Sequence, residues 1–141
     1  MQARQLVIES HHRELARVRS FVVDAAADLG PTVEPADLAV VASELAANAI
    51  ECEAGPVTIT VRPLGGGGIR LEVLDRSPAE PVVHEHEAWD PNGHRGLALV
   101  AALSAAWGCR SEPPGKVVWC DLPGSGPNPV GRDPASQRRP A

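Results

Sequence analysis

Glu44 and Asn48 stand four residues apart in the stretch Asp37–Ile50, DLAVVASELAANAI, where Leu38, Val41, Ala42, Leu45 and Ala49 recur at the spacing of one buried helical face. At about 100° per residue the two polar side chains lie together at the margin of that stripe, where they can line a cavity while the helix stays docked. Asp75 closes a second apolar run. Gly93-His94-Arg95-Gly96-Leu97 opens another helical segment. A glycine-flanked helix start presents free backbone N–H groups at the positive end of the dipole, which suits a phosphate chain, and Arg95 adds charge there. An Asn oxygen beside such phosphates suits Mg²⁺, and a carboxylate four residues earlier can polarise an attacking hydroxyl or water. Asp75 can accept the hydrogen bond of an adenine amino group. Each feature also has a plain structural reading: a solvated Glu beside a satisfied Asn, a turn Asp and a surface Arg.

The elements that must position these residues are legible as patterns. Residues 4–9 read as a strand, followed by a helix from about Ser10 or His11 to Leu29, stopped by Gly30-Pro31. The central helix begins at Pro35, with Asp37 in its first turn, and ends near Ala54-Gly55-Pro56. Val57–Leu64 and Ile69–Asp75 alternate as strands around Gly65–Gly68 and predict a hairpin. Those glycines join two strands and no G-K-[ST] follows, so they read as a turn and not a phosphate loop. Residues 76–93 carry three prolines and no sustained period, the pattern of a long functional or mobile connection. His84 and His86 within it have no third ligand nearby and read as solvated loop residues. A buried helix is predicted from His94 to Trp107, then a final hairpin, 107–112 and 116–122, about Pro113-Pro114-Gly115. Residues 123–141, rich in Gly, Pro and Ser, predict a disordered tail after a single domain, 1–122.

Composition narrows the class. Hydrophobic residues make up 43% and charged residues 22%, ordinary for a globular domain, and no run is apolar enough for a membrane span or a signal peptide. The expected compartment is cytoplasmic. Residues 1–122 hold 10 of the 13 basic and 17 of the 18 acidic residues, a net charge of −7 that disfavours direct nucleic-acid binding. Twelve of the cations are Arg, Lys116 is the only lysine, and the basic charge reads as scattered. Cys52, Cys109 and Cys120 form no C-x-x-C pair and read as buried thiols.

The order E-L-A-A-N-A, hairpin, D-R-S-P, G-H-R-G-L-A-L-V and G-K-V-V-W resembles the small anti-sigma-factor serine kinases of the histidine kinase-like (GHKL) ATPase superfamily, of the short actinobacterial type, from about residue 4 to Leu122. The resemblance implies a two-layer α/β sandwich of the Bergerat fold, with helices on one face of a mixed, mainly antiparallel sheet and ATP held between the central helix and the loop before the last helix. Carried over by position, Glu44 would be the general base and Asn48 the Mg²⁺ ligand. Asp75 would bind the adenine amino group, while Gly93, Arg95, Gly96 and Leu97 would shape the phosphate end. The resemblance further implies an ATP-dependent protein serine/threonine kinase that phosphorylates a STAS-like anti-anti-sigma partner, sequesters a sigma factor and forms a homodimer. Cys52, His94 and Val117 stand where the family often carries His, Gly and Thr. Two rivals stay open: a catalytically inactive binding module of the same fold, and the ATPase domain of a two-component sensor, for which the chain has no phosphoacceptor helix.

Overall fold

The computed structural model describes residues 2–29, 32–77, 95–124 and 139–140, with the side chains of 95–97 and 139–140 excepted. The chain opens with β1 (Arg4–Ile8), a single 3₁₀ turn (His12–Glu14) and α1 (Leu15–Leu29). Helix α2 (Pro35–Glu51) starts at its Pro because that residue's missing N–H costs nothing in a first turn. Glu34 caps it by accepting from the Ala36 N–H at 3.4 Å. The hairpin follows as β2 (Val57–Pro63) and β3 (Ile69–Asp75). Gly66 and Gly67 turn it with φ of 78° and 81°, a left-handed conformation that a side chain would strain, and the Thr32 hydroxyl donates to the Gly67 carbonyl at 2.7 Å. The four-glycine segment is thus an anchored structural turn.

Helix α3 (Arg95–Leu103) leads to β4 (Ala106–Glu112) and β5 (Gly115–Leu122). Two expectations need correction here. The helix ends at Leu103, and Trp107 is a strand residue of β4, since an apolar run of small residues does not itself mark where a helix gives way to a strand. Nor is α3 buried all round: Val100 is in the core while Leu99 is exposed, because only one side of this helix meets α2 and β4. The thiols differ from expectation as well. Cys120 is buried, Cys109 is half-buried and Cys52 is exposed at the end of α2.

Five strands pair antiparallel in the order β1-β2-β3-β5-β4, and Arg139–Pro140 (β6) add a two-residue parallel strand beside β4. The sheet is mixed and mainly antiparallel, and the architecture is the α/β arrangement expected. Helices α1 and α2 pack on each other and over β2 and β3, and α3 packs on α2. Val18, Val22, Leu38, Val41 and Leu45 from the helices meet Ile59, Val61, Leu71 and Val73 from the sheet in one core. Because strand side chains alternate, this fixes which polar residues can share the helix-covered face. Among the described residues no helix is long and apolar enough to cross a membrane.

Candidate functional site

Glu44 and Asn48 are both partly buried on α2, between the buried core positions Val41, Leu45 and Ala49. The Asn48 amide nitrogen is buried and has no hydrogen-bond partner among the described residues. A buried donor without a partner costs about 1–3 kcal/mol, a cost that an acceptor brought to this helix edge would relieve. One turn on, the Cys52 thiol donates to the Asn48 carbonyl at 3.5 Å.

From there a chain of contacts reaches the sheet. The Lys116 ammonium lies 3.6 Å from Cys52 Sγ and donates to Asp75 Oδ1 at 3.0 Å. Asp75 Oδ1 also accepts from the Ser77 backbone N–H at 2.8 Å. The ion pair is deep: Asp75 is 2% and Lys116 6% exposed. It arises from register. Asp75, the last residue of β3, is directly opposite Lys116 near the start of β5, and partners in a sheet point to the same face. Gly115 lets the strands close there, since a Cβ at that position would stand 2.7 Å from Arg76 Cα and run into the Asp75 carbonyl.

Asp75 is therefore linked to the end of α2 by actual contacts, and Lys116 belongs to the same cluster. The sequence marks Lys116 as the only lysine but assigns it no role; the signal for its place was the alternation of β5, which gives the residue opposite Asp75 the same face. The same alternation relocates Val117. It pairs with Leu74 on the opposite face from Asp75, so a hydroxyl lost at 117 does not touch this cluster.

The remaining expected residues lie toward α3. Arg95, Gly96 and Leu97 form its first turn, where backbone N–H groups have no intrahelical partner. Gly93 and His94, like His84 and His86, lie outside the described residues. The donor set fits a magnesium nucleotide: an amide oxygen and a carboxylate on α2, a carboxylate for an amino group on β3 and a helix start for phosphate.

A second polar cluster occupies the face of the sheet away from α1 and α2. Glu72 accepts hydrogen bonds from Arg62 and from Arg110, the latter at 2.8 Å. Burial alone would raise its pKa, but the two guanidiniums outweigh it and hold the carboxyl below its ordinary value. This network braces the sheet.

Compared with known protein families, residues 8–121 match the family described as histidine kinase-like ATPase domain. No curated protein matches the chain.

Proposed function

The chain belongs to the histidine kinase-like ATPase domain family, and from that premise we propose that it is an ATP-binding regulator: a cytoplasmic anti-sigma factor with protein serine kinase activity toward a STAS-like anti-anti-sigma partner. The observation that carries the nucleotide reading is the buried amide nitrogen of Asn48, without a partner among the described residues and one turn from Glu44, on a residue whose backbone carbonyl is linked through Cys52 and Lys116 to Asp75. That reading assigns Asn48 to Mg²⁺, and the metal when bound would neutralise charge on the phosphates. The first turn of α3 would hold the phosphate chain through its free N–H groups. Glu44 would accept the proton of a serine hydroxyl as its oxygen bonds to the terminal phosphorus, and the bond from that phosphorus to the bridging oxygen would break to leave ADP. Sequestration of a sigma factor and homodimer formation complete the proposal, by resemblance of the motif order.

The rival binding module gains from one feature, the Lys116 ammonium already seated on Asp75. Calorimetric titration with ATP, with and without Mg²⁺, separates the readings when paired with two variants. Micromolar, Mg²⁺-enhanced binding that Asn48→Ala weakens supports the site. Phosphate transfer to a serine-bearing partner that Glu44→Ala abolishes, with ATP binding retained, supports the kinase; absent transfer with intact binding leaves the binding module.

A further inference from the structure

Cys52 is the C-terminal cap of α2 and is exposed, yet its sulfur is met from inside the protein. The thiol donates to the Asn48 carbonyl at 3.5 Å, and the Lys116 ammonium reaches the sulfur at 3.6 Å. Lys116 is only 6% exposed and is anchored by Asp75, so its charge is held at the sulfur and not spent in solvent. A thiol sulfur is a weak acceptor and makes little use of an ammonium. A second donor stands close by. The Asn48 amide nitrogen, buried and with no partner among the described residues, belongs to the residue one turn before Cys52 on the same side of α2. Two buried donors thus line a helix edge that ends in a solvent-reachable nucleophile, an arrangement better suited to a sulfur carrying an acceptor oxygen than to the thiol itself.

We infer that Cys52 is a site of reversible oxidation by hydrogen peroxide, held in its sulfenic form by the Lys116 ammonium, and that this oxidation tightens nucleotide binding by drawing the ammonium from Asp75. The second half rests on the nucleotide reading above, in which Asp75 receives an amino group of the base. In the chemical step the sulfur attacks one peroxide oxygen, and a sulfur–oxygen bond forms as the oxygen–oxygen bond breaks. The departing hydroxide takes the thiol proton and leaves as water, so the sulfur gives up two electrons and the peroxide gains them. A dithiol restores the thiol: one of its sulfurs displaces the oxygen as water to form a mixed disulfide, and the second releases Cys52. The new oxygen, once ionised, accepts a charge-assisted hydrogen bond where the thiol offered only a 3.6 Å contact. It competes with Asp75 for one ammonium. In the thiol form Lys116 and the Ser77 N–H both donate to Asp75 Oδ1. In the sulfenic form the hold of Lys116 on Asp75 loosens, and the carboxylate becomes a better acceptor for the base. Lys116 is a positioning residue, acting through the bound oxygen on one side and through Asp75 on the other.

The test treats the full nucleotide-free chain with hydrogen peroxide, traps sulfenic acid with dimedone and locates the adduct by peptide mass. Parallel untrapped samples are titrated with ATP and Mg²⁺ before oxidation, after it and after dithiothreitol. Expected are a dimedone adduct on Cys52, and an ATP affinity that rises at least about threefold on oxidation and returns with dithiothreitol. In Cys52→Ser the adduct is lost and peroxide leaves the affinity where it was. Lys116→Met should carry Cys52 on to the sulfinic acid and abolish the affinity response. The absence of an adduct on Cys52, or an adduct with unchanged or weaker ATP binding, overturns the inference while leaving the nucleotide site intact. A Lys116→Met chain that stops at the sulfenic acid as the wild type does overturns the role of Lys116. ATP binding in neither redox state removes the nucleotide reading and the regulatory half of the inference with it, and the adduct then decides the modification alone. A melting curve shows whether Lys116→Met folds; where it does not, the comparison of wild type with Cys52→Ser decides.

Discussion

Arg70 grips Asp121 with two parallel hydrogen bonds, Nε to Oδ1 at 2.6 Å and a terminal nitrogen to Oδ2 at 2.8 Å, across the β3–β5 pair. The same guanidinium lies 4.5 Å from the centre of the Trp119 ring. Lysine cannot reproduce a planar fork that both pairs and stacks. Arg70→Lys should lower stability by about 1 kcal/mol, a modest value because the pair is part-exposed, read as a lower urea midpoint at unchanged slope.

Glu72 makes the fold acid-sensitive. Its carboxyl is held below its ordinary value, so the folded state binds that proton less readily than the unfolded chain. The stability it contributes is present above its unfolded pKa and disappears as pH falls through the folded one. Denaturation midpoints should drop as pH falls below the ordinary glutamate range, and Glu72→Gln should be less stable at neutral pH with a flatter acid limb.

Asn48→Ala should separate stability from binding. Removing a buried amide whose nitrogen has no partner among the described residues takes away an unsatisfied donor, so the nucleotide-free melting temperature should hold or rise. The same variant should weaken Mg²⁺-ATP binding. A melting temperature lowered by several degrees would instead identify Asn48 as a structural residue.

Gly115→Ala tests the closeness of β3 and β5. The added methyl would run into the Asp75 carbonyl and the Arg76 backbone, neither of which can swing away as a flexible side chain can. A loss of about 3 kcal/mol is expected, together with weaker nucleotide binding as Asp75 and Lys116 are displaced.

Thiol reactivity should divide the cysteines. Burial pushes the Cys120 thiol up to about 12, leaving it almost entirely protonated and inert at neutral pH. Cys52 is exposed. A thiol-reactive chromophore should label Cys52 in the native protein and Cys120 only after denaturation, with Cys52→Ser removing the fast phase.

The sequence alone determined the succession of elements, because their signals are local. Pro35 and the apolar period fix α2, and alternation fixes β2 and β3 on either side of the glycine turn. It also set Glu44 and Asn48 on one helix edge, since a spacing of four is nearly one turn. The boundary between α3 and β4 was not legible, as alanines and leucines around Trp107 satisfy a helix and a buried strand equally. Only the tertiary structure decided what faces what across the sheet. That Lys116, not Val117, meets Asp75 depends on the register of β3 against β5, and a slip of one residue would exchange the two faces. Only packing brought Cys52, 64 residues earlier in the chain, against Lys116, and left the Asn48 amide nitrogen buried with no partner among the described residues.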